Sequence, residues 1–246
     1  MIQDRIPELE HPLFDKIYRN VILREKTFFE RMEFNSKRKF FINNSKTFNI
    51  NNKDLFIEFA TGVTDIFYYW AKKEKKTKFI CLDLDPVNIE YQNQRKKLKN
   101  LQYLVQNVEE PILEYKNQAD FIMMYDSLHH VDIKKCLKNA YTTLKKGGTL
   151  LLRDIKRITP EEMISTYSET IIHLVYDLKR QMPANDFIKK YNIEINKNTF
   201  IVSLMSRLAA YKKEEIEHNL ELSGFKILKE NNESRNKYIN VFRAQK

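Results

Sequence analysis

An α/β fold built on a mostly parallel sheet is what this 246-residue sequence predicts, and three observations predict it. Short apolar runs alternate with segments of helical spacing from residue 54 to residue 155, the rhythm of βαβ units. The runs are apolar throughout, as strands are when helices cover both faces of the sheet. The chain has only four glycines, and each stands at a junction of this pattern. Gly62 follows the first apolar run, Gly147 and Gly148 precede the fifth, and Gly224 stands where a helical segment gives way to a strand.

Taken in order, residues 13–42 carry apolar residues at roughly helical spacing and predict one or two amphipathic helices. DLFIEFA (54–60) is the first buried strand, and DIFYYWAKKEK (65–75) the helix after it. KFICLDL (78–84) is the second strand. Asp85 and Pro86 then suit a helix cap and first helical position, opening a helix that runs to about Leu98. LQYLVQN (101–107) and ADFIMMYD (119–126) are the third and fourth strands. A helix over 132–145 ends at Gly147-Gly148, and TLLLRDI (149–155) is the fifth strand. The pattern then changes: 156–212 is mainly helical and shows no strand. Residues 212–230 read as helix, glycine stop at Gly224 and strand, and 235–246 as a last strand. The expected organisation is an N-terminal helical segment (1–45), a ligand-binding core (46–155), a helical insert (156–212) and a return to the core (213–246).

Composition narrows the function classes. Hydrophobic residues make up 42% of the chain, enough for a sizeable core, and charged residues 31%. No apolar run reaches membrane-spanning length. The N-terminus is acidic and interrupted by prolines, unlike a secretory signal. Cys81 and Cys136 lie in apolar-patterned segments, so a reduced, cytoplasmic chain is expected rather than a disulfide framework. The net charge of +10 permits an acidic partner. The basic residues are nevertheless spread out and mixed with glutamate, which argues against nucleic acid as substrate.

The first strand and its turn, FIEFATGVT (56–64), carry the most chemistry. In a doubly wound sheet, ligands bind at the carboxyl ends of the strands, where strand order reverses. A glycine in that turn lets the backbone approach a ligand. The dinucleotide fingerprint G-x-G-x-x-G/A fits poorly: from Ala60 the chain reads A-T-G-V-T-D, and Asp65 would face a pyrophosphate. A nicotinamide oxidoreductase is therefore disfavoured. Glu58 suits a cofactor with a positive amino group and a sulfonium.

These residues resemble the first motif of class I S-adenosylmethionine-dependent methyltransferases, (D/E)-x-(G/A)-x-G-x-G. LDLDP (82–86), LVQNVEEP (104–111), ADFIMMYDSLHHV (119–131), LKKGGTLLLRD (144–154) and SGFKILKE (223–230) resemble the family's later motifs, in order. The resemblance covers 50–155 and 213–246. It departs from the family at Thr64, where the last glycine of the first motif is usual, and at Asn107, where an acid usually meets the adenine amino group. An Asn carbonyl can accept that bond.

The resemblance implies a Rossmann-like seven-stranded sheet, mostly parallel with an antiparallel last strand. It implies S-adenosyl-L-methionine as cofactor and a small-molecule oxygen or nitrogen acceptor closed in by a helical lid. Glu58 would accept from the methionine amino group, and Ala60, Thr61 and Gly62 would supply close backbone. Asp83 would hold the ribose hydroxyls, with Leu84 beside it. Asn107 and Val108 would meet the adenine, and Tyr125 the methionine end. Asp126, Arg153, Asp154 and Tyr176 would line the acceptor side. His129 or His130 would take the acceptor's proton. Adjacent histidines lack the spacing of helical metal-ligand pairs, so no metal is expected. Nor is a membrane span expected, and a homodimer stays open. The alternatives are an RNA- or protein-directed methyltransferase, a binding module without turnover, and other chemistry on the same cofactor.

Overall fold

The computed structural model describes residues 12–13, 16, 26–45, 54–62, 65–94, 97–157, 169–194, 199–228 and 239–246. Thr64 and most of the segment before residue 26 lie outside these residues.

The apolar runs form strands β1 (Leu55–Phe59), β2 (Lys78–Asp83), β3 (Leu101–Val105), β4 (Ala119–Tyr125) and β5 (Leu144–Ile155). After the insert come β6 (Lys226–Ile227) and β7 (Ile239–Gln245). They make one seven-stranded sheet in the order β3-β2-β1-β4-β5-β7-β6. β1 to β5 are parallel, and β7 runs antiparallel to both β5 and β6. This is the mostly parallel sheet that the strand rhythm predicts, in the Rossmann-like arrangement that the resemblance implies. Strand order reverses between β1 and β4, which opens a crevice at their carboxyl ends.

Both faces of the central strands are covered, which explains why their sequences do not alternate. On one face Phe56, Phe79 and Phe121 lie side by side on β1, β2 and β4. Their rings meet edge-on or tilted, at 5.6 Å for Phe56–Phe79 and 4.9 Å for Phe56–Phe121. Helix α1 (Lys26–Ser45) lays Phe41 onto Phe121, and α2 (Phe67–Lys73) adds Phe67. Burying each such ring contributes about 1.5–3 kcal/mol. On the other face Ile57, Ile80, Ile122 and Leu150 pack with Leu137 and Ala140 of α4 (Ile133–Thr143) and with Ile216 and Leu220 of α8 (Lys213–Leu222).

Helix α3 (Pro86–Asn93) starts as its sequence predicts: the Asp85 side chain accepts from Val87 N at 2.9 Å, with Pro86 at the first helical position. It is shorter than expected, and Leu98 is not helical. The glycine pair also behaves differently from expectation. α4 stops at Thr143 and β5 begins at Leu144, so Gly147 and Gly148 lie inside the strand. The chain's C-terminus accounts for this: Gly147 N donates to Lys246 O (3.0 Å) and Lys246 N to Gly148 O (3.1 Å).

The insert contains α5 (Glu169–Lys179), α6 (Ala184–Lys190) and α7 (Thr199–Ala209). They bury an apolar cluster of their own, with Leu174, Leu178, Phe187, Met205 and Leu208 joined by Leu13. Tyr176 of α5 is exposed, at 37%.

Candidate active site

The crevice begins at the turn after β1. Ala60 adopts φ +53° and Gly62 φ +63°, so the chain folds back through two left-handed positions within three residues. That costs a non-glycine residue of order 1–3 kcal/mol, and such strain clusters at functional sites. A Cβ built on Gly62 would meet nothing within 4 Å. The backbone there borders open space rather than packed protein.

Glu58 lies beneath this turn and is fully buried. Its Oε2 accepts from Thr61 Oγ1 at 2.7 Å, and its Oε1 is paired with Lys37 Nζ. Lys37, only 2% exposed, also donates to the Thr61 carbonyl oxygen at 3.1 Å. Burial pushes the Glu58 carboxyl up to about 7, against the pull of Lys37. A second buried carboxylate, Asp65, accepts from Tyr68 N (3.1 Å) and from the Tyr103 hydroxyl. Ligand atoms of Glu58, Asp65 and Cys81 lie within 4.8 Å of one another, and the cation beside them is the Lys37 ammonium.

Asp83, at the end of β2, reaches across to the same turn. Its Oδ2 accepts from Gly62 N at 2.7 Å. Its Oδ1 accepts from Asp85 N at 2.9 Å and from Asn88 Nδ2 at 3.3 Å. Each oxygen has two acceptor sites, so Oδ2 keeps capacity for a ligand hydroxyl. Leu84 follows with 59% exposure, an apolar side chain open at the crevice end of the sheet. Asn107 turns its side-chain oxygen to Glu109 N at 2.9 Å. Val108 is buried in the core beneath; its carbonyl accepts from Asn139 Nδ2 at 2.9 Å. The structure thus joins Glu58, Thr61, Gly62 and Asp83 through direct contacts, but ties Asn107 and Val108 to their own loop and the core.

Strand alternation sorts the acceptor-side candidates onto two faces. Tyr125 and Arg153 are register partners on β4 and β5. The Arg153 guanidinium sits 4.4 Å from the Tyr125 ring centroid and pairs with Asp126. Asp126 itself adopts φ +49°. The Tyr125 hydroxyl donates to Ser36 Oγ of α1 at 2.7 Å. Asp154 points the other way, fully buried, with its Oδ1 2.6 Å from Nδ1 of His129. Its Oδ2 has no hydrogen-bond partner among the described residues. Burial pushes the Asp154 carboxyl up to about 7. The His130 ring stacks on His129 at 4.1 Å. Among the described residues, no hydrogen bond or ring contact joins Tyr176 of α5 to these groups.

Two residues enter the site that sequence reasoning passed over, Ser36 and Lys37 of α1, and Asp65, read before only as an acid unfavourable to a pyrophosphate, joins them. A signal existed for Lys37. It stands three residues after Phe34 and four before Phe41, on the helix stripe that should face the core.

Comparison with known proteins agrees with this geometry. A family model described as a methyltransferase domain matches residues 57–152. The ubiquinone/menaquinone biosynthesis C-methyltransferase UbiE of Rickettsia typhi (strain ATCC VR-144 / Wilmington) is 32% identical over 137 residues, covering 50% of this chain and 54% of that protein. The chain therefore spans about half the length of this curated relative. A solved SAM-dependent methyltransferase from Aquifex aeolicus is similar over 82% of this chain and 87% of its own, with a TM-score of 0.53 at 19% identity. A chain from the complex between the Haloferax volcanii Trm112 methyltransferase activator and a methyltransferase is similar over 94% of this chain and 97% of its own, with a TM-score of 0.56 at 11% identity. At these identities the two structures share this chain's fold.

Proposed function

We propose that residues 57–152, which match a methyltransferase domain model, form a class I S-adenosylmethionine-dependent methyltransferase domain, and that the chain transfers a methyl group from S-adenosyl-L-methionine to a small molecule held between the sheet and a helical lid. The observation that carries this is the bond from Gly62 N to Asp83 Oδ2 at 2.7 Å. It brings the second-strand acid and the first-strand turn together on one side of the crevice. The residues fit the cofactor. Asp83 would hold the ribose hydroxyls, exposed Leu84 would lie against the adenine, and the open backbone at Gly62 admits close approach.

When bound, the cofactor supplies a methyl group on a sulfonium with a neutral leaving group. The chain's own task is then to position the acceptor, exclude water and accept a proton where the acceptor requires it. The His129–Asp154 pair suits the last role. Donation from Nδ1 to the buried carboxylate sets the tautomer that carries the basic lone pair on Nε2. The lid would comprise residues 1–45 and 156–212. One contact supports its place beside the crevice: the Tyr211 hydroxyl donates to Val131 O at 2.8 Å, next to the histidines. Arg157 Nε donates to Ala210 O at 2.9 Å and joins the two ends of the insert. Asp126, Arg153 and Tyr176 remain the acceptor contacts of this reading. No helix among the described residues is long and apolar enough to cross a membrane, and the chain is read as cytoplasmic.

The acceptor atom is read as oxygen or nitrogen. A carbon acceptor is the second reading, favoured by the name of the curated relative as a C-methyltransferase.

Titration calorimetry with S-adenosylhomocysteine tests the cofactor reading. Wild-type protein should bind and Asp83→Ala should not; absence of binding to wild type would end the proposal. Screening oxygen, nitrogen and carbon acceptors with wild type and His129→Ala then tests the chemistry. His129→Ala should lower turnover about 10²–10⁴-fold while S-adenosylhomocysteine binding persists.

A further inference from the structure

The buried cation at the first turn comes from outside the α/β core. Lys37 belongs to α1, yet its two acceptors, Glu58 Oε1 and the Thr61 carbonyl, belong to the end of β1 and the turn after it. The placement has a register. Phe41 packs on Phe121, the sheet neighbour of Phe56. One turn back along α1 covers ~6 Å, close to the ~6.6 Å that two strand residues cover from Phe56 to Glu58. The helix's aromatic anchor and its lysine therefore fall on the strand's aromatic and its glutamate together. Ser36, the next residue on α1, holds the Tyr125 hydroxyl. Two successive α1 residues thus bond to the ends of β1 and β4, the two strands at which sheet order reverses.

Resting on the cofactor reading above, we propose that Lys37 is a positioning residue for the amino-acid end of the cofactor. It sets the Glu58 carboxylate and the Thr61 carbonyl around the turn, so that the ligand's amino-acid arm is received only when α1 is docked. Among the described residues, the groups facing Glu58 are Lys37 from α1, Thr61 and Asp65 from the turn and its exit, and Cys81 from β2. Of these, Lys37 is the only cation. Without it two buried carboxylates lie side by side and Glu58 takes up a proton, turning an acceptor toward donation. The Thr61 carbonyl loses its donor at the same time.

The test compares two ligands that share the adenosine and differ in the arm: S-adenosylhomocysteine, and 5′-methylthioadenosine, which lacks the amino acid. Lys37→Met should weaken S-adenosylhomocysteine by about tenfold or more, the worth of a lost charge-assisted bond, and leave 5′-methylthioadenosine unchanged. Lys37→Arg should restore most of the loss. Lys37→Met/Glu58→Gln removes the unpaired charge and guards against misfolding; it should show the same selective loss. A measurement on wild type needs no variant: S-adenosylhomocysteine should slow amide hydrogen exchange over residues 34–42, and 5′-methylthioadenosine should not. Equal weakening of both ligands, tighter binding of S-adenosylhomocysteine, or equal protection by both ligands would overturn the proposal. Failure of wild type to bind either ligand would instead refute the cofactor reading on which it rests.

Discussion

At Asp154 the surroundings decide what a carboxylate does. Its neighbour Arg153 lies on the opposite face of β5, over Tyr125, while Asp154 is buried with the His129 imidazole against one oxygen. Burial raises its pKa from 3.8 to about 7. The folded state therefore holds this proton more tightly than the unfolded chain. The stability this site adds is full below about pH 4, falls as pH rises towards 7, and is level above that. Asp154→Asn has no proton to lose, so its thermal stability relative to wild type should rise from pH 4 to pH 7 and then plateau. The reverse slope would show that the fold does not raise the Asp154 pKa. The same variant should lower turnover without weakening S-adenosylhomocysteine, because it acts on His129. At this scale Glu58, Gly62 and Asp83 were picked out by short local motifs, and the structure brings Gly62 and Asp83 into contact. Lys37 was harder to find as one of 43 basic residues, and the His129–Asp154 pair joins residues 25 positions apart.

Among the elements, the starts of α3 and α4 were legible and their ends were not, whereas α8 ends just before Gly224 as expected. Asp85 and Asp132 cap α3 and α4 through bonds to nearby backbone nitrogens, and that chemistry is written in consecutive residues. Asp132→Ala should cost about 1 kcal/mol, measured by chemical denaturation. The end of α4 depends on a distant partner. The C-terminal Lys246 pairs with Gly147 and Gly148, so the glycines join β5. Gly148 has a packing reason as well: a Cβ there would lie 2.9 Å from the carbonyl oxygens of Ala119 and Lys145. Gly148→Ala should destabilise the protein by about 1–3 kcal/mol, as overpacking does; a neutral result in denaturant titration would mean that β5 can shift away from β4.

For the whole molecule, two apolar clusters cover the sheet and a third holds α5, α6 and α7 together. Phe187, fully buried in the third, offers a way to loosen the insert alone. Phe187→Ala should cost about 3–5 kcal/mol locally. Amide exchange should quicken over 169–209 and stay slow in β1, β2 and β4; uniform quickening would show that insert and sheet unfold as one unit. The sequence by itself determined the strands, their order of appearance and the turn that borders the crevice. Each depends on apolar runs, caps and a motif contained within a few neighbouring residues. Only the tertiary structure decided that α1 delivers Lys37 to Glu58, that Asp154 pairs with His129, and that Lys246 draws the glycine pair into β5. Each of those contacts joins segments far apart in the chain, and residue spacing carries no record of which side chains the folded sheet will bring within bonding distance.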